Sequence, residues 1–154
     1  MIITMDTNEY ALHPLIVDGI NKFLAQKQLK SKLVDMYKEN KIINTKMACG
    51  DYMFNNIIVE HMTIADFCGK VKNDLIFQQA QDMLYTKEQY PDIKLFIMIS
   101  GSPTDIMNLP VPSNPDSIIA AWASLNKIIN TSFMGNSYFF IRGLVDLFEK
   151  HYDN

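Results

Sequence analysis

Arginine is almost missing from this sequence: Arg142 is its single copy among 154 residues. The bidentate guanidinium grip on phosphate or guanine is therefore nearly unavailable. Cysteine is scarce as well. Cys49 and Cys68 make no disulfide framework, and with histidines scattered at positions 13, 61 and 151 they make no zinc site of the usual spacing. No apolar run is longer than a strand, and Met1 to Asp6 holds no basic region leading into a long apolar stretch. Both facts argue against a membrane span and a secretory signal, so the expected location is inside a cell, nucleus or cytoplasm undistinguished. Glycine and proline number six each, while 48% of residues are hydrophobic and 20% are charged. Such a composition buries a core rather than staying disordered, and the length suits one domain spanning residues 1–154.

The net charge of −3 is unevenly distributed. Between Lys22 and Lys46 seven lysines face only Asp35 and Glu39, whereas the rest of the chain carries seven basic and fifteen acidic residues. This basic stretch is either a solvated helix face with a loop or a surface that contacts phosphates.

The hydrophobic pattern alternates strands with helices. Ile2, Ile3 and Met5 form a short strand whose exit holds Asp6, Asn8 and Glu9. Pro14 suits the first turn of a helix carrying Ile16, Val17, Ile20, Phe23 and Leu24 on one stripe and ending near Lys27 to Lys30. Strand-like residues resume from Ile42 to Met47. Gly50-Asp51 then introduces two short strands, Tyr52 to Phe54 and Ile57 to Glu60, turned by Asn55-Asn56, across which Asp51 and Glu60 can meet. Thr63 with Asp66 reads as a capped helix start, and Asp74 as the cap of the next helix. On that helix Gln79 is the polar exception in an apolar stripe, and a buried glutamine must be hydrogen-bonded.

Leu95 to Ile99 is a nearly continuous apolar run, the pattern of a central strand covered on both faces. Residues 101–116 hold four of the six prolines and read as a loop. Two closing helices, Ser117 to Ile129 and Ser137 to Lys150, flank an extended piece at Thr131 to Met134. On the last helix Tyr138, Phe140, Ile141, Leu144, Val145, Leu147 and Phe148 cover about half the circumference, wider than the roughly 100° of one core face. The excess is expected to meet a partner in a dimer interface of Tyr138, Ile141, Leu144, Val145 and Phe148, the alternative being a last helix deeply buried in a monomer. The order of elements predicts an α/β fold, with helices covering a mixed sheet.

Asp6, Glu9, Asp51, Glu60 and Asp66 cluster at strand ends or just after them. Oxygen-rich groups of this kind suit Mg²⁺ or Mn²⁺, which take one or two carboxylates plus waters and phosphate oxygens and can drive phosphodiester hydrolysis. Spacing alone leaves helix capping and simple solvation as open alternatives.

The residues Gly50-Asp51-Tyr52 followed by Val59-Glu60-His61-Met62-Thr63-Ile64-Ala65-Asp66-Phe67 resemble the ERCC4 nuclease domain of the XPF/MUS81 family, whose signature is GD, a short gap, then VERKxxxDF. Asp6-Thr7-Asn8-Glu9 is similar to the family's DxRE, Leu75 to Ala80 to its RLxxQ helix, and Leu95 to Gly101 to its apolar strand ending in glycine. The resemblance implies a restriction-endonuclease-like three-layer α/β/α sandwich with a central mixed sheet. It also implies a catalytic set of Asp6, Glu9, Asp51, Glu60, His61 and Met62, with Asp51 and Glu60 holding Mg²⁺ or Mn²⁺. The basic members of the pattern are replaced: Asn8 stands for Arg, His61 and Met62 stand for the Arg and Lys of ERK, and Asp74 stands for the Arg of RLxxQ. Met62 can neither orient water nor stabilise negative charge, and His61, its neighbour on a strand, is expected to point to the opposite face.

Three readings follow. The first is a metal-dependent endonuclease for branched or flapped DNA. The second is an inactive DNA-binding or scaffolding ERCC4 domain serving another subunit. The third is a phosphodiesterase for a small nucleotide. Lys70, Lys72 and Gln79 are the expected DNA contacts beside the acids, and a homodimer or a heterodimer with a related subunit is implied. The helix-hairpin-helix module of many relatives is not expected in this chain.

Overall fold

Six strands run side by side in the order β2-β1-β3-β4-β5-β6. The computed structural model describes residues 3–12, 14–16, 18, 42–110 and 113–151. Strands β1 (Ile3–Asp6), β3 (Tyr52–Phe54) and β4 (Ile57–Thr63) form an antiparallel centre. Strand β2 (Ile42–Thr45) adds parallel to β1, while β5 (Lys94–Ser100) and β6 (Asn130–Phe133) continue parallel from β4. The sheet is mixed, as the element order predicts.

Side-chain alternation sends neighbouring residues of each strand into two different cores. On one face Ile3, Met5, Tyr52, Phe54, Ile57 and Val59 pack beneath helix α4 (Ser137–Lys150). On the other, Ile58, Met62, Ile97 and Ile99 pack beneath α1 (Ile64–Lys72), α2 (Ile76–Gln89) and α3 (Pro115–Asn126). The result is the expected three-layer α/β/α sandwich.

Local signals account for several joints. The hairpin turns at Asn55, which adopts φ 51°, a conformation asparagine tolerates better than most residues. Thr63 caps α1 by accepting the Asp66 N–H at 3.1 Å. Strand β5 is largely buried between its two parallel neighbours, as its continuous apolar run requires.

Other expectations need correction. Asp74 does not cap α2; it takes φ 56° in the turn between helices, and the cap position falls to Leu75 without a side-chain bond. The proline-rich loop contains a short 3-10 helix, Pro103–Asn108, whose entry is tied by the Ser102 N–H donating to Asp105 at 2.8 Å. A second 3-10 helix, Thr7–Leu12, follows β1 directly where only a polar strand exit is legible.

The wide apolar face of α4 is also accounted for inside the chain. Ile141, Leu144, Val145 and Phe148 are all buried against the sheet, so they are core residues rather than a free dimer surface. The sheet here is broad enough to cover a helix across half its circumference. Of the large hydrophobic residues of α4 only Tyr138 and its neighbour Phe139 stay exposed. Residues 14–16 and 18 are helical, as Pro14 suggests. The remainder of that predicted helix and most of the Lys22–Lys46 stretch lie outside the described residues.

Candidate active site

The β3–β4 hairpin brings the two central acids together. The Asp51 N–H donates to Val59 O at 2.8 Å, extending the ladder one residue beyond β3, and the Asp51 carboxylate accepts the His61 N–H at 2.7 Å. Gly50 precedes them at φ 74°, and a Cβ there would collide with Ile58 Cγ2. Glycine is therefore required at the turn that aims Asp51.

Asp6 joins from the end of β1, whose N–H donates to Asp51 O at 2.7 Å. Its own carboxylate accepts N–H groups from Met47 at 2.8 Å and Asn8 at 2.9 Å. Those two bonds, foremost the one from Met47, hold the Asp6 carboxyl below its ordinary pKa. Asp6, Asp51, Glu60 and Gln79 line one cleft of about 510 Å³, together with Asp82 and Tyr85 of α2.

Asp51 and Glu60 behave differently from Asp6. Burial, followed for Glu60 by the charge of Asp51, pushes Asp51 up to about 6 and Glu60 up to about 7. Two carboxyl groups this close resist ionising together, and a cation between them would relieve the repulsion. Glu60 is held from behind: the Gln79 amide donates to Glu60 Oε1 at 2.5 Å, and the Lys70 ammonium donates to Gln79 Oε1 at 2.7 Å. An ammonium can only donate, so Lys70 fixes which end of the Gln79 amide faces Glu60.

Lys70 and Gln79 are thus engaged in orienting Glu60, a role different from the expected DNA contact. Lys72 is exposed and borders a separate hollow with Cys68, Asn73 and Leu109, not the acidic cleft. Asp66 remains at the start of α1, where its N–H serves the cap, and does not line that cleft.

Alternation along β4 divides the ERK-like triplet as its strand position predicts. Glu60 faces the cleft. Met62, 2% exposed, lies on the same side of the sheet but is sunk in the core beneath the helices. His61 points to the opposite face, where its ring stacks on Phe140 at 3.9 Å between centroids and 10° between planes. Its Nδ1 lies 2.9 Å from Glu9 Oε2 and its Nε2 lies 2.9 Å from Ser100 Oγ. The Tyr52 hydroxyl donates to the same Glu9 oxygen at 2.7 Å. A carboxylate can only accept, so Nδ1 donates to Glu9, while Nε2 meets the Ser100 hydroxyl, which also donates to Met62 O at 3.4 Å.

Asp6, Asp51 and Glu60 therefore converge in one cleft, while Glu9 and His61 form a hydrogen-bonded network behind the sheet. Sequence reasoning missed Tyr52, Lys70's partnership with Gln79, Ser100, Asp82 and Tyr85. The polar break at Gln79 was the only local signal for any of these.

No protein-family model matches the sequence, and no curated protein sequence matches it. Among solved structures the chain is similar to XPF from Aeropyrum pernix in complex with DNA, at 19% identity and a TM-score of 0.60, covering 97% of this chain and 64% of that one. It is equally similar to a second structure of XPF from Aeropyrum pernix, at 19% identity and a TM-score of 0.60, covering 98% of this chain and 66% of that one. The chain has an XPF-like fold. It spans about two thirds of the XPF chains it matches, and the XPF-like part contains the hairpin, the cleft and the closing helices.

Proposed function

We propose that this chain is a divalent-metal-dependent DNA endonuclease domain of the XPF/MUS81 type, acting on branched or flapped DNA. The observation that carries the reading is the Asp51–Glu60 pair: two adjoining carboxyl groups, both raised above their ordinary pKa, in an open cleft of an XPF-like fold. Among the described residues no group of three or more His, Cys, Asp or Glu side chains is arranged as a metal site. The donor set assigned in this reading is the two carboxylates of Asp51 and Glu60, with water and substrate phosphate left to complete the shell. That composition fits Mg²⁺ or Mn²⁺ and does not fit zinc.

A divalent ion held by Asp51 and Glu60 would activate water and neutralise charge developing on the phosphate. The chain's own residues prepare that position. The His61 N–H holds one Asp51 oxygen, and Gln79 holds one Glu60 oxygen. Asp6 ties the segment at Met47 to the end of β1 and forms one wall of the cleft. Glu9 and His61 act as supporting groups through the sheet, with His61 fixed by Phe140 and Ser100.

A second reading is favoured by Met62. The family's lysine position holds a thioether packed in the core, so no cation extends from β4 toward the cleft. In that reading the domain binds DNA or a related subunit and another chain does the chemistry. A pairing surface on α4 would use the exposed Tyr138 and Phe139.

Titration of Mn²⁺ and Mg²⁺ with a labelled DNA flap separates the two. The endonuclease reading expects metal-dependent cutting that drops by about 100-fold or more in Asp51→Ala and rises in Met62→Lys. Binding without cutting, with cutting appearing only in Met62→Lys, overturns it in favour of the scaffold.

A further inference from the structure

The acidic cleft has one wall that the metal chemistry does not use. Tyr85 lines it from α2 and is 62% exposed, and among the described residues no ring contact or hydrogen bond holds it. Its helix is well anchored: Ala80 and Met83 are buried, and Gln79, Asp82, Met83 and Thr86 face the cleft on one stripe. Tyr85 projects at the flank of that stripe, six residues beyond Gln79 and so about 9 Å along the helix axis. The helix thus presents an exposed aromatic ring to the cleft that Asp51 and Glu60 also line.

Charge makes this ring more consequential. Among the described residues the cleft lining includes Asp6, Asp51, Glu60 and Asp82 and no lysine or arginine, with Lys46 and Lys70 acting on Asp6 and Glu60 from its margin. Acidic walls repel a nucleic-acid backbone, so a metal and neutral contacts are the means by which this lining can add affinity. Base–aromatic stacking is such a contact, contributes about 1–3 kcal/mol per base, and tolerates any sequence. Bases within a duplex already have both faces covered by their neighbours. Only an unpaired or extruded nucleotide offers a free face to Tyr85.

We infer that Tyr85 is the stacking platform for an unpaired nucleobase beside the phosphodiester to be cut. The inference rests on the endonuclease reading and assigns to Tyr85 the contact with the single-stranded part of that substrate.

The test measures binding of a labelled single-strand/double-strand junction with Ca²⁺ in place of Mn²⁺, for the wild type, Tyr85→Ala and Tyr85→Trp. The junctions include a series with one abasic nucleotide placed at each position around the branch. Tyr85→Ala should weaken binding of the intact junction by about 5- to 150-fold. Tyr85→Trp should recover that loss. One abasic position should weaken the wild type by a similar factor and abolish the difference between wild type and Tyr85→Ala. Equal loss on every abasic junction, or no loss in Tyr85→Ala, overturns the stacking assignment. Thermal unfolding of the variant checks that this exposed substitution leaves the fold intact. The two failures are distinguishable: a wild type that neither cuts nor binds the junction overturns the endonuclease reading itself, whereas a wild type that cuts with Tyr85→Ala unaffected overturns only the role of Tyr85.

Discussion

Glu60 and Asp51 are less comfortable as anions in the folded chain than in the unfolded one, and this has a measurable sign. A carboxyl whose folded pKa is raised favours folding below its unfolded pKa, and that contribution is lost as pH rises through the folded value. Metal-free protein should therefore lose stability from this pair between about pH 4, the unfolded carboxyl range, and about pH 7, as pH passes the folded values of Asp51 near 6 and Glu60 near 7. Glu60→Gln keeps an acceptor for Gln79 and removes the charge. In EDTA at pH 8 it should be more stable than the wild type by on the order of 2 kcal/mol, a rise of several degrees in Tm, with the gap closed by pH 4. A gap that is constant with pH would show that the two carboxyls do not oppose each other's ionisation. The pairing of these two acids was legible from a hairpin of known spacing, because two-residue periodicity dictates which side chains share a face. The separate fate of Glu9 and His61 was only half legible. Alternation placed His61 on the far face, but nothing local in the sequence announced Tyr52, Ser100 and Phe140 as its neighbours. Met62 carries the complementary prediction: Met62→Lys puts an ammonium into an apolar core and should lower stability by about 1–3 kcal/mol in urea unfolding, even where it raises cutting.

The β3–β4 hairpin is the element on which the site depends, since it fixes Asp51 against Val59 and His61. Gly50→Ala tests this dependence. The substitution introduces a Cβ against Ile58 and requires φ 74° of a residue that resists it. The expected cost is about 1–3 kcal/mol, with Mn²⁺ affinity reduced more than in a core variant of equal stability. If calorimetry finds wild-type Mn²⁺ affinity in Gly50→Ala, the turn does not aim Asp51. The elements with strong local chemistry were readable in advance: the Asn55 turn, the Thr63 cap, the apolar β5 and the whole span of α4. The failures at this scale share a different cause. The 3-10 helix after β1 arises where Asp6 accepts N–H groups from both Asn8 and Met47, the second of them 41 residues away. The broad apolar face of α4 has two interpretations until the partner surface is known, and here the partner is the chain's own sheet. Hydrophobic periodicity reports how much of a helix is covered, not what covers it.

The whole molecule divides its charge between an acidic cleft and a lysine-rich stretch. Lys22 to Lys46 carries seven of the chain's fourteen basic residues, while four carboxylates line the cleft. Arg142 donates to the Tyr138 hydroxyl at 3.2 Å and does not line the acidic cleft, so the chain's only arginine contributes no guanidinium there. The endonuclease reading then requires two kinds of contact: metal and stacking at the cleft, and electrostatic attraction supplied by lysines. Each phosphate neutralised contributes about 0.9 to the slope of log affinity against log salt on duplex DNA. A Lys30→Glu/Lys32→Glu double variant should therefore weaken binding of the duplex arm and reduce that slope by about 2. Tyr85→Ala, in contrast, should weaken binding with no change in slope, because stacking releases no counterions. Anisotropy titrations of one junction across a salt series measure both variants together. An unchanged slope in the double lysine variant would return the Lys22–Lys46 stretch to a solvated surface, and the electrostatic share of DNA binding would have to come from elsewhere in the molecule.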